Sequence, residues 1–78
     1  MADVIIYTTP TCTWCKTAKK FFEEHKIAYK EIDVAADFTK AEEMVRRSGQ
    51  TGVPVIEIDG EIVVGFDKPK LQELLNLD

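Results

Sequence analysis

Apolar and polar positions alternate along the chain in blocks, and the period within each block names its element. Residues 4–7, Val4-Ile5-Ile6-Tyr7, form an unbroken apolar run rich in β-branched side chains that stops at Thr8-Thr9-Pro10, which predicts a buried strand. Over residues 13–25, Trp14, Ala18, Phe21, Phe22 and His25 recur at helical spacing, predicting a helix that turns one face to that strand. Residues 27–34 carry a weaker alternation through Ala28, Ile32 and Val34 and predict a second strand. Thr39 with Glu42 three residues on makes a capping box, Ala41, Met44 and Val45 form an apolar stripe, and Gly49 stands where a helix stops; a helix over 39–48 is expected. Residues 53–58 and 61–64 are β-branched runs joined by Asp59-Gly60, the signature of a tight hairpin. Asp67 then caps a last helix with Pro69 in its first turn and Leu71, Leu74 and Leu75 on its buried side.

The order is βαβαββα, an α/β class. An opening βαβ unit implies a right-handed parallel pair, and the hairpin adds two antiparallel strands. The expected architecture is a four-stranded mixed sheet flanked by three helices, in a single domain over residues 1–78. In such sheets chemistry gathers at the carboxyl ends of the parallel strands, and Cys12 falls at the end of the first.

Composition narrows the function. A 45% hydrophobic and 31% charged chain has enough apolar residues for a core and is not a disordered segment. A net charge of −4 without a basic tail argues against nucleic acid as a partner. The early apolar run of residues 4–7 is far too short for a secretory or membrane-spanning segment, so a cytoplasmic protein with no membrane partner is expected. Two cysteines three positions apart close too small a loop to staple a fold, and in a reducing compartment such a pair is redox-active or metal-binding.

The motif Cys12-Thr13-Trp14-Cys15 straddles the predicted start of the first helix. Inside a helix, residues three apart hold their Cβ atoms about 5–6 Å apart, whereas a disulfide needs about 3.5–4.5 Å. A pair spanning the boundary removes the mismatch, with Cys12 in the last loop position and Cys15 in the first turn. Unpaired N–H groups and the helix dipole favour a thiolate there, so Cys12 is expected to attack a substrate disulfide and Cys15 to resolve the mixed disulfide. Lys16, Lys19 and Lys20 follow at helical spacing and either add to that field or form an ordinary solvated face.

Half of a four-cysteine zinc site has the same spacing, but no second pair exists, and the sole histidine, His25, lies ten residues beyond Cys15 on the predicted core-side stripe. No metal site is expected, and His25 is read as a helix C-terminal residue. Trp14 is placed both for partner contact and for partial burial. Thr13 offers a hydroxyl near the thiolate, though a solvated side chain is the ordinary expectation. Pro54 is either plain punctuation at a strand start or a cis residue that turns the Val53 backbone toward the thiols.

The strand, the Cys-x-x-Cys helix, Gly52-Val53-Pro54 before a hairpin and Gly65-Phe66-Asp67 before the last helix together resemble, end to end, the glutaredoxin family of the thioredoxin-like fold. The resemblance implies a cis Pro54 and a thiol-disulfide oxidoreductase that reduces protein disulfides or glutathione mixed disulfides through Cys12 and Cys15. It implies glutathione as co-substrate rather than a tightly bound cofactor, with contacts from Thr13, Trp14, Lys16, Gln50, Val53, Pro54, Phe66 and Asp67. The chain departs from the family's common pattern in having Thr13-Trp14 between the cysteines, Thr9 before them, and Val64-Gly65 in place of a double glycine.

Gly65-Phe66 is also similar to the redoxins that supply hydrogen to ribonucleotide reductase and are recharged by thioredoxin reductase. Disulfide-containing proteins are the expected partners under either reading, with glutathione or thioredoxin reductase as electron source and a monomeric chain. A [2Fe–2S] carrier bridged between two subunits is a further alternative, weakened because each chain offers only two thiolates. A redox-inert adaptor would leave the paired cysteines at the helix start without a purpose.

Overall fold

A computed structural model describes residues 3–77. Its elements follow the expected order: β1 (Val4–Thr8), α1 (Thr13–Glu24), β2 (Lys30–Asp33), α2 (Phe38–Ser48), β3 (Val55–Ile58), β4 (Glu61–Val64) and α3 (Lys68–Leu74). The four strands form one mixed sheet in the order β2-β1-β3-β4, with β1 parallel to β2 and antiparallel to β3, and β3 antiparallel to β4. This is the thioredoxin-like architecture that the sequence predicts.

Alternation along the central strands sorts the core into two layers. Val4 and Ile6 of β1, with Ile56 and Ile58 of β3, face Ala18, Phe21 and Phe22 of α1 and Leu71 of α3. Tyr7 and Val55 point to the opposite face and pack with Met44 of α2. Both faces of the inner strands are therefore covered, which is why they read as continuous apolar runs.

The hairpin turns on Asp59 and Gly60, whose φ values of 49° and 89° are the double left-handed geometry of the tightest two-residue connection. Gly49 closes α2 in the left-handed conformation at φ 70°, as its position predicts. Asp67 caps α3 by accepting from the Lys70 N–H, with Pro69 in the first turn.

Several details differ from the sequence reading. The cap of α2 is Asp37, whose carboxylate accepts from the Lys40 N–H at 3.1 Å, so the helix starts one residue earlier and Thr39 lies inside it. A carboxylate two positions upstream of Thr39 is the stronger acceptor, and it takes the cap. Of the predicted stripe only Met44 is buried, while Val45 is 38% exposed. Strand β2 is confined to four residues, because Lys26 at φ 57° and the Ile27 N–H bonded to the Phe22 carbonyl still belong to the end of α1. His25 is the C-cap of α1, as expected of a helix C-terminal residue, but it is exposed rather than core-facing and rests its ring on Phe21 at 4.6 Å. Strand β3 begins at Val55, since Pro54 has no N–H for the ladder.

Candidate functional site

Strand β1 ends at Thr8, the chain turns through Thr9 to Cys12 with the Cys12 N–H bonded to the Thr9 carbonyl at 3.3 Å, and α1 starts at Thr13. Cys12 is thus the N-cap residue of α1, with extended backbone angles of −82° and 114°. Its Sγ accepts from the Cys15 N–H at 3.0 Å, the role that a serine or aspartate oxygen plays at other helix starts. The two residues are joined as a disulfide with a Cα–Cα separation of 5.2 Å, inside the normal range for such bonds. The two sulfurs differ in access: Cys12 is half-buried, whereas Cys15 is 1% exposed.

Opposite the thiols lies the loop before β3. The Val53–Pro54 peptide bond is cis, and the Val53 carbonyl oxygen sits 3.7 Å from Cys12 Sγ. Among the described residues, the Val53 N–H has no hydrogen-bond partner, and Val53 itself is half-buried. The Pro54 carbonyl accepts from the Gly65 N–H at 2.9 Å, which ties this loop to the one that leads into α3.

That second loop carries Phe66. Its ring stacks on Trp14, with centroids 6.3 Å apart and planes 25° from parallel, and meets the edge of Phe21 at 5.6 Å. Trp14 remains 62% exposed, so the indole rests on the protein by one face and meets solvent with the other. The partial burial expected of Trp14 is seen, on the Phe66 side of the ring. Phe21, read from sequence as a core residue only, also supports Phe66; no local signal joins residues so far apart in sequence.

Thr13 and Lys16 are exposed on the first turn of α1, beside Cys12 in sequence. Gln50 is exposed just after α2, its N–H held by the Ser48 hydroxyl at 3.1 Å. Asp67 is exposed, and one of its carboxylate oxygens is already engaged in capping α3. Of the three lysines, Lys19 is committed elsewhere: its Nζ lies 2.8 Å from the Glu31 carboxylate, which also accepts from the Thr8 hydroxyl at 2.9 Å. The Lys19 bond is the main reason that the Glu31 carboxyl is held below its ordinary range. Lys16 and Lys20 make no ion pair among the described residues.

On the far face, Arg47 of α2 bonds the carboxylate of Glu57, a nearly buried side chain in the central strand β3, and reaches Glu43 at 3.4 Å. This cluster satisfies a charge inside the sheet and lies away from the cysteines. No group of three or more potential metal ligands occurs among the described residues.

The glutaredoxin family model matches residues 4–63. A glutaredoxin-like 8.6 kDa protein from the rubredoxin operon of Clostridium pasteurianum is 47% identical over 70 residues, spanning 90% of this chain and 93% of that protein. Glutaredoxin 3 of Escherichia coli strain K12 is 40% identical over 67 residues, 86% of this chain and 81% of the relative. The crystal structure of a mutant thioredoxin-like protein superposes with a TM-score of 0.91 at 35% identity, covering 100% of both chains. With the paired cysteines at the start of α1 and these matches along most of its length, the chain belongs to the glutaredoxin family of thiol-disulfide oxidoreductases.

Proposed function

We propose that the chain, acting as one domain over residues 1–78, reduces protein disulfides and glutathione mixed disulfides, with Cys12 as nucleophile and Cys15 as resolving thiol. The observation that carries this reading is the asymmetry of the pair. Cys12 Sγ stands at the N-cap, reachable from solvent and aimed by the Cys15 N–H, while Cys15 is buried. A thiolate at a helix N-terminus is stabilised by unpaired N–H groups and the dipole, and it is the thiolate that attacks.

In the first step the Cys12 thiolate attacks one sulfur of the substrate disulfide, forming a Cys12 mixed disulfide and releasing one thiolate. In the second, Cys15 loses its proton to solvent and attacks Cys12 Sγ, releasing the other thiolate and leaving the enzyme disulfide. Two electrons pass from the dithiol to the substrate. The Val53 N–H, unpaired among the described residues and beside cis Pro54, is suited to pair with an extended substrate as an added strand.

Glutathione is the proposed co-substrate that returns the enzyme to the dithiol, with Thr13, Lys16, Gln50, Val53, Phe66 and Asp67 around it. The second reading, a hydrogen donor for ribonucleotide reductase recharged by thioredoxin reductase, rests on the Gly65-Phe66 pair, the feature that resembles those redoxins. In either case a cytoplasmic monomer is proposed; no helix among the described residues is long and apolar enough to cross a membrane.

The test follows NADPH consumption with one disulfide substrate, first with glutathione and glutathione reductase and then with thioredoxin reductase. Turnover in the first system supports glutathione as reductant, and turnover only in the second supports the alternative. In the productive system Cys12→Ser should abolish reduction of a protein disulfide, and Cys15→Ser should accumulate a mixed disulfide at Cys12. Undiminished turnover by the Cys12 variant would overturn the assignment.

A further inference from the structure

We infer that Trp14 and Phe66 form a specificity ledge that selects polypeptide disulfides carrying an aromatic or large aliphatic side chain two residues from the reacting cysteine. This rests on the dithiol reading above and names the substrate class of that same site.

A tryptophan that leaves 62% of its surface in water presents a large apolar area that folding has not used. Here the indole is also held in place. It stacks on Phe66, Phe66 abuts Phe21 edge to face, and Phe21 is itself buried against Phe22 at 5.9 Å. A rigid aromatic surface loses little conformational entropy on binding, which is why such side chains dominate the energetics of recognition sites.

Its position specifies the occupant. Trp14 lies between the two cysteines, and the Pro54–Gly65 hydrogen bond makes the Val53 and Phe66 loops one rim around Cys12. An extended polypeptide paired with Val53 advances about 3.3 Å per residue and turns alternate side chains to the same face. With its cysteine at Cys12, the side chain two residues away lies about 7 Å further along the strand and on the same face as the reacting sulfur. Glutathione has no side chain to place there; its ends are carboxylates and an ammonium group. Covering the exposed indole therefore favours a polypeptide over a small thiol.

The test uses the pre-reduced full chain without any reductase, so that the electron source does not enter. Symmetrical disulfides of two pentapeptides, Phe-Gly-Cys-Gly-Phe and Ser-Gly-Cys-Gly-Ser, are mixed with the enzyme, and the enzyme disulfide is followed by acid quench, alkylation and mass spectrometry over a range of peptide concentrations. The wild type should oxidise about 10-fold faster at low concentration with the phenylalanine peptide, the scale expected of one aromatic contact. The difference should lie in the half-saturating concentration rather than in the limiting rate. Trp14→Ala should reduce the ratio to below about 3-fold, and Trp14→Phe should restore most of it, a rescue that a merely structural role would not give. A wild-type ratio near one, or a preference that survives Trp14→Ala, would overturn the ledge while leaving the dithiol reading intact. Failure of both peptides to oxidise the enzyme would instead strike the dithiol reading, and the ledge with it.

Discussion

Single residues do unusual jobs around the dithiol. Cys12 is at once the helix cap and the more accessible of the two sulfurs, and the spacing of the motif at a strand end makes its place at the helix start legible in the sequence. The lysines after it were legible only as a row of charges. Their fates diverge because Lys19 finds Glu31 on the neighbouring strand while Lys16 and Lys20 face outward, and a contact between α1 and β2 has no local sequence signal. Glu31 titrates below its ordinary range because it is bonded by Lys19, with Thr8 adding to the effect. A depressed carboxyl stabilises the fold above its unfolded-state value, and that contribution disappears as pH falls through the folded-state value. Lys19→Met is accordingly expected to cost at most about 1 kcal/mol near neutral pH, since the pair is partly exposed. The difference from wild type should vanish once Glu31 is protonated, and urea unfolding of both proteins at neutral and acidic pH measures it. A penalty that persists at the acidic end would place the effect in packing of the lysine stem.

Element by element, the periodic patterns named every strand and helix, and the boundaries moved where two local signals competed. At α2, Thr39 has the capping-box spacing to Glu42, but the Asp37 carboxylate two residues upstream is the stronger acceptor and takes the cap. The structure predicts opposite outcomes for the two. Asp37→Ala should lower stability by about 1 kcal/mol, a fall of about 4–8 °C in Tm for a domain of this size, whereas Thr39→Ala should be near neutral. Thermal unfolding followed by circular dichroism distinguishes them, and the reverse order would return the cap to Thr39. The β2 boundary moved for a different reason. Ile27 and Tyr29 are apolar and do pack against the core, but through the reversal that ends α1 rather than as ladder residues, which an alternation pattern cannot separate. Trp14 and Phe66 show the same limit. Each is a candidate from its own motif, while their stacking depends on two loops joined by the Pro54–Gly65 bond.

For the whole molecule, the sheet order carries both stability and chemistry, because the parallel β1–β2 pair sets the end at which Cys12 emerges and the β3–β4 hairpin brings Val53 and Phe66 to it. Closing the sheet between two helical layers also removes both tyrosines from ordinary titration. Burial, then a hydrogen bond to Glu23, pushes the Tyr29 hydroxyl up to about 12, and burial together with the Glu43 and Glu57 charges raises Tyr7. A raised folded-state value favours the protonated form, so this stabilisation is complete below the unfolded value of 10 and is lost as pH rises toward about 12. An alkaline titration read by tyrosinate absorbance should show little ionisation near pH 10 and a late rise; one tyrosine ionising near pH 10 in folded protein would contradict this packing. All of this architecture serves to hold one sulfur forward and one back. The most direct check is therefore residue-resolved alkylation of the reduced protein, with a limiting amount of iodoacetamide at neutral pH and mass spectrometry of the quenched products. Cys12 should be modified at least about 10-fold faster than Cys15, as a half-buried sulfur at a helix start against a buried one requires. Equal rates, or Cys15 modified first, would contradict the assignment of nucleophile and resolving thiol.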